Sequence, residues 1–292
     1  MKNKKNIVMR KLAQILITIC FVMHFNLKVS AGGADIEKEE SALLHREKIK
    51  QLIQSMRDGN YTNTGGAEAA NLLSNKALLK NPSIKDGNSL EIGCGTGAAA
   101  DFISKGGYNN IWAVDINEKL IEEAKSIYPN VNFTVADVTK LTKTFDDEFF
   151  SFIFSFNVAH AVKDKVAMLQ RLKAISKEGA ILAIFDYYQK DEKTLELFKN
   201  LSGKQMFPIE LNNLKMMMKI LGWEIIEETD ITDKYKFWYN ALIDKIKHSA
   251  DMLKASDYTE EEISLSIEKI QYLLDSIESD KLGGIILIAK KI

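Results

Sequence analysis

Proline is scarce in this chain. Pro82, Pro129 and Pro208 are the only three in 292 residues, and no stretch rich in Pro, Gly or Ser divides the sequence. That excludes a string of small domains on linkers and leaves enough length for one substantial core with appended helices. No internal repeat is visible, which excludes a solenoid. Cysteine is equally scarce, with Cys20 and Cys94 the only two, so stability has to come from core burial and not from a disulfide framework. Past the first few residues there are no basic blocks. The 39 Lys and Arg alternate in sign with 40 Asp and Glu, which leaves no footprint for a nucleic acid and makes a small molecule the expected partner.

A run long enough to span a membrane is missing as well. The longest apolar stretch, Leu12 to Phe25, is short for a span and contains Gln14, Thr18 and His24. It follows Lys2, Lys4, Lys5, Arg10 and Lys11 and precedes the small residues Val29-Ser30-Ala31, the three-part layout of a secretory signal peptide over residues 1–31. Cleavage after Ala31 removes six cations and no acid, leaving 33 Lys and Arg against 40 Asp and Glu. The mature chain is then acidic, has Cys94 as its one thiol, and is expected to be secreted or to reside in the cell envelope without a stable membrane span. An uncleaved signal acting as a membrane anchor is the alternative. The sequence does not determine the oligomeric state.

What the chain does have is Ser89-Leu90-Glu91-Ile92-Gly93-Cys94-Gly95-Thr96-Gly97. A short apolar run, a carboxylate and three glycines at alternate positions predict a strand that stops abruptly, a tight loop and a helix from about Ala98. Glycine takes positive φ at little cost, and its missing side chain lets a ligand lie against backbone amides at a helix N-terminus. Gly93-x-Gly95-x-x-Ala98 also satisfies the looser dinucleotide fingerprint, so the loop alone admits two cofactor classes. Glu91 and Gly97 complete an E-x-G-x-G-x-G run. In this the sequence resembles the class I S-adenosylmethionine-dependent methyltransferases, whose first motif has this acid and these glycines.

Ile111 to Asp115 reads as a second strand. Asp115 stands 18 residues after Gly97, where a carboxylate accepts ribose hydroxyls in either cofactor class; Ile116 after it is assigned to the same site. Helix Glu118–Ile127 leads to a third strand, Val131–Ala136, and then to Asp137-Val138. In the resemblance, an acid there receives the adenine amino group and the apolar residue packs on the ring; a plain helix-capping aspartate is the alternative. Phe149 to Phe156 is nearly all apolar, as a central parallel strand covered on both faces should be. Its end opens into Asn157-Val158-Ala159-His160, which a doubly wound sheet places beside the cofactor.

Further helices and strands follow: a helix at Asp164–Ser176, strand Ala180–Phe185, a helix at Ile209–Leu221, strand Trp223–Thr229, and a last strand Ile285–Ala289. The Met216-Met217-Met218 run reads as core filling. Between the last two strands, a helix starting at the capping pair Thr259 and Glu262 carries an apolar stripe from Ile263 to Ile277. The spacing of strands and helices specifies an α/β, doubly wound sheet. The resemblance to the methyltransferases implies a Rossmann-like sheet of seven strands with the last one antiparallel, an N-terminal helical lid over residues 35–80, and a main domain over 81–292 with a helical insertion at 232–280.

The segment Asn60-Tyr61-Thr62-Asn63-Thr64-Gly65-Gly66, the pair Asp186-Tyr187, that insertion and Gly283-Gly284-Ile285 together resemble the phosphoethanolamine and related small-molecule N-methyltransferases. The resemblance implies S-adenosylmethionine as cofactor, a small amine or hydroxyl acceptor, and a histidine past strand four, paired with a lid tyrosine, that serves methyl transfer. His160 lies near the matching place. No tyrosine precedes Tyr61, His45 stands near where one would fall, and Lys204 and Met206 replace the family's phosphate-binding cluster, so phosphoethanolamine itself is not the expected acceptor. A neutral imidazole suits removal of a proton from an amine, which makes His160 the candidate general base; a histidine that only hydrogen-bonds across the site is the alternative. The expected cofactor-binding set is Glu91, Gly93, Gly95, Gly97, Asp115, Ile116, Asp137, Val138 and Asn157, and no metal ligands are assigned. Two other functions stay open at this point: a cofactor-binding protein without catalysis, and an NAD-dependent oxidoreductase on the same kind of sheet.

Overall fold

The computed structural model describes His45 and residues 47–57, 60–191 and 207–292. Residues 1–31, where a signal peptide is expected, and Lys204 and Met206 lie outside the described residues. Contacts divide the chain into Met1–Gln51 and Leu52–Ile292. In the first unit, His45 and residues 47–51 are helical.

The second unit is built on one sheet. Its strands are β1 (Asn88–Ile92), β2 (Ile111–Asp115), β3 (Asn132–Val135), β4 (Phe150–Phe156), β5 (Ser176–Gln189), β6 (Ile209–Glu210), β7 (Trp223–Asp230) and β8 (Leu282–Lys291). Their order is β3-β2-β1-β4-β5-β8-β7, with β6 beside β5. The first five strands are parallel to their neighbours, while β8 runs antiparallel between β5 and β7. The order steps outward from β1 to β3 and then restarts at β4, so the chain switches direction beside β1. Ligands collect at such a switch point, against the carboxyl ends of the strands.

The helices are α1 (Gly66–Lys80), α2 (Ala98–Lys105), α3 (Glu118–Ile127), α4 (Lys165–Ile175), α5 (Leu211–Ile220), α6 (Thr232–His248), α7 (Ala250–Ala255) and α8 (Glu260–Glu278). Side chains alternate across each strand, so Phe152, Phe154 and Phe156 of β4 enter one apolar layer with α1, α2, α3, α6 and α8. Ile153 enters the other with α4 and α5, and Phe150 joins it there because the register shifts between Phe150 and Phe152. The stripe on α8 is satisfied there, with Ile263, Ile270, Leu274 and Ile277 buried. Its start is a capping box: Thr259 N–H donates to Glu262 Oε2 at 2.8 Å and Glu262 N–H to Thr259 Oγ1 at 3.1 Å. Among the described residues no helix is long and apolar enough to cross a membrane.

Four expectations are corrected. Ile209 and Glu210 are not helical but pair in parallel with Tyr188 and Gln189. β5 runs well past Phe185, because β8 gives it partners as far as Gln189. Gly283 and Gly284 lie inside β8, where added side chains would strike the rings of Tyr188 and Tyr235. Of the methionine run, Met218 is buried but Met216 is exposed.

Candidate active site

β1 ends at Ile92 and the chain turns through Gly93, Gly95 and Gly97, all at positive φ (65°, 55° and 84°). Such values strain any residue with a Cβ. Space adds a second constraint: a Cβ on Gly97 would sit 2.5 Å from the Phe133 ring and one on Gly95 2.7 Å from Thr62 Oγ1. The loop is closed by Gly97 N–H donating to Cys94 O at 2.9 Å, and α2 begins at once. Glu91 is buried within β1. Burial pushes its carboxyl well above the usual carboxylate range, opposed by a hydrogen bond from the Ala100 amide in the first turn of α2. Its Oε2 has no partner.

Asp115 closes β2 against this loop. Its Oδ2 accepts the Gly95 N–H and its Oδ1 the Asn117 N–H, each at 2.9 Å. Ile116 beside it is 72% exposed. Asp137 stands beyond β3 and caps a 3₁₀ turn at Val138–Lys143: Oδ1 accepts Thr139 N–H and Oγ1–H, and Oδ2 meets Lys140 Nζ at 2.9 Å. Lys140 first, then Thr139, hold this carboxyl below its usual range. Val138 is half-buried. Asp115, Asp137 and the glycines thus lie along the carboxyl edge of β3, β2 and β1.

On the other side of the switch point, Asn157 leaves β4 at φ 57°. Its Nδ2 donates to the Tyr235 hydroxyl at 2.7 Å, and its Oδ1 is buried without a partner. A 3₁₀ turn at Ala159–Ala161 then buries His160, 7% exposed, against the end of β5. There His160 Nδ1 lies 2.6 Å from Asp186 Oδ1, and the His160 backbone N–H donates to Asp186 Oδ2 at 3.3 Å. The Tyr187 ring meets the imidazole edge-on with centroids 5.4 Å apart.

Several of these neighbours were not assigned from sequence. Asp186 was read only as part of a motif, and its pairing with His160 spans 26 residues. Tyr187 and Tyr239 hydrogen-bond through their hydroxyls, and Thr64 Oγ1 joins them at 3.1 and 3.2 Å. Burial raises both phenols, so they stay protonated. Lys165 Nζ donates to the Val162 and Phe207 carbonyls at 2.9 and 2.7 Å, and Phe207 N–H donates to His160 O at 2.8 Å, which fixes the histidine turn from behind. Residues 60–66 cross over the glycine loop, with Thr96 Oγ1 donating to Asn60 O at 2.8 Å.

Residues 90–184 match the family profile described as a methyltransferase domain. A phosphoethanolamine N-methyltransferase of Zea mays is 24% identical over 223 residues, covering 74% of this chain and 42% of that protein. The chain therefore spans less than half the length of this relative. The structure of phosphoethanolamine N-methyltransferase 2 of Haemonchus contortus in complex with S-adenosyl-L-methionine aligns with TM-score 0.74 at 18% identity, over 83% of this chain and 56% of that one. A putative sarcosine dimethylglycine methyltransferase from Galdieria sulphuraria aligns with TM-score 0.68 at 14% identity, over 76% and 85%. At such identities the two structures establish a common fold.

Proposed function

We propose that the chain is a class I S-adenosylmethionine-dependent methyltransferase that binds S-adenosylmethionine and methylates a small molecule at an amine or hydroxyl, a reading supported by the methyltransferase-domain match over residues 90–184. The observation that carries this reading is the bond between Gly95 and Asp115. It joins a backbone surface bare of side chains to a carboxylate that keeps lone pairs for two ribose hydroxyls. Further polar atoms suit a zwitterionic nucleoside: Glu91 Oε2, Asn157 Oδ1 and Arg57 Nε are buried without partners. Orphaned groups of this kind cost free energy until a ligand satisfies them. Ile116 and Val138 offer apolar surface for the base, and Asp137 an acceptor for its amino group.

The cofactor, when bound, supplies an electrophilic methyl on a sulfonium. His160 and Asp186 do the rest. With its Nδ1–H given to Asp186, the imidazole is held in the tautomer whose Nε2 is the basic nitrogen, which takes the proton of the acceptor N–H or O–H. The buried hydroxyls of Thr64, Tyr187 and Tyr239 wall the site against water. Calorimetry with S-adenosylhomocysteine and with NAD tests the cofactor, and labelled methyl donor with a panel of amines, phenols and phospholipid headgroups tests the acceptor. Failure to bind S-adenosylmethionine or its demethylated product at millimolar concentration refutes the reading.

Residues 1–31 are proposed to direct export. Because the cofactor is made in the cytosol, a cleaved chain has to act where another cell supplies it. N-terminal sequencing after fractionation tests this: a start at Gly32 in the exported fraction supports it, and an intact Met1 in the membrane fraction refutes it.

A further inference from the structure

Arg57 is the unexplained cation of this site. One of its guanidinium nitrogens, Nη1, donates to the Thr62 carbonyl, while Nε is buried with no partner. Thr62 is the residue whose side chain presses on Gly95. The Arg57 charge also acts on the phenols of Tyr187 and Tyr239, favouring their ionised forms against burial. The guanidinium therefore lies between the cover of the glycine loop and the tyrosine wall beside His160. A buried guanidinium N–H without an acceptor is costly, and its fork geometry matches a carboxylate or phosphate better than any neutral group.

The strand order says which anion reaches it. If Asp137 and Asp115 hold base and ribose, the cofactor runs along the strand ends from β3 through β2 to β1. The sulfonium must face the acceptor near His160, at the β4–β5 end, so the amino-acid tail falls on the glycine loop beneath residues 60–66. That tail carries one α-carboxylate, and burial under this cover removes its water.

We propose that Arg57 is the anchor for the α-carboxylate of the S-adenosylmethionine tail. The inference rests on the cofactor reading above and goes beyond it by assigning a residue that none of the glycine or acidic motifs contains. Its test is a binding cycle read by calorimetry. S-adenosylhomocysteine, its carboxamide, and 5′-methylthioadenosine, which has no amino-acid tail, are titrated into the wild-type chain and into Arg57→Gln and Arg57→Lys. In the wild type the carboxamide should bind about 10- to 100-fold more weakly than the acid. Arg57→Gln should lose a similar factor for S-adenosylhomocysteine while holding 5′-methylthioadenosine within about twofold, which also shows that the variant is folded; Arg57→Lys should fall between. Equal affinity of the wild type for acid and carboxamide overturns the inference whatever the variants do. So does an Arg57→Gln chain that keeps its S-adenosylhomocysteine affinity but loses affinity for the methyl acceptor, since the arginine then serves an anion of the acceptor. Failure of the wild type to bind all three nucleosides overturns the cofactor reading and this inference with it.

Discussion

His160 Nδ1 and Asp186 Oδ1 lie 2.6 Å apart at the meeting of β4 and β5, both side chains buried. Such a carboxylate fixes the tautomer and the orientation of the ring. His160→Ala should slow methyl transfer roughly 10²- to 10⁴-fold with little effect on S-adenosylhomocysteine affinity, and Asp186→Asn should slow it in the same direction. Turnover and calorimetry on the same preparations check this. Equal losses of turnover and affinity would make the pair structural.

Glu227 on β7 is held by two lysines of α1, Lys76 at 2.5 Å and Lys80 at 2.8 Å. Burial pushes its carboxyl up, but hydrogen bonds from both lysines and Thr229 outweigh that and bring it down to about 2. A pKa below the unfolded value means stability that is present above about pH 4.5 and lost as pH falls toward 2. Glu227→Gln should therefore cost about 1–3 kcal/mol at pH 7 and nearly nothing at pH 2. Denaturant titrations at both pH values measure it, and a pH-independent difference would refute it.

Cys94 lies inside the glycine loop, buried. Burial first, then the carboxyls of Glu91 and Asp115, push its thiol up, far from the thiolate form that reacts. A thiol reagent should label the native chain slowly and the denatured chain at once. Rapid labelling of the folded protein would show that the loop opens.

Gly284 lies on β8 with the Tyr235 ring over it, and Tyr235 in turn holds Asn157. Gly284→Ala should overpack this contact, costing about 1–3 kcal/mol and lowering Tm by roughly 3–10 °C. Thermal unfolding reads the cost. An unchanged Tm would mean that β8 yields without strain.

The parts legible in the sequence are those whose signals are local. The limits of β2 and α3 follow from Asp115 and from Asn117, whose side chain caps α3 as sequence chemistry asks. The antiparallel entry of β8 was implied by the resemblance to the methyltransferases and not by any local signal. The illegible parts are set by distance along the chain. Nothing near Thr64 announces Tyr239, 175 residues on, and nothing near His160 names Asp186. The expected last strand starts only at Ile285, because glycine usually ends a segment; here two tyrosine rings require Gly283 and Gly284 inside it. Ile209 and Glu210 are too few to show alternation, so only their partner on β5 reveals them. Arg57 belongs to no motif, and its partnerless Nε is visible only with the fold around it.

Because β8 sits between β5 and β7, the sheet cannot be completed in the order in which the ribosome delivers it. About 90 residues separate Gln189 from Leu282, roughly 5–20 s of synthesis. Through that interval the edge of β5 that β8 will cover stands open in the nascent chain, joined by that of β7 once it is made, inviting the wrong neighbour. Slow translation across α6 to α8 should therefore lower the yield of soluble protein, and a chaperone that shields bare strand edges should restore it.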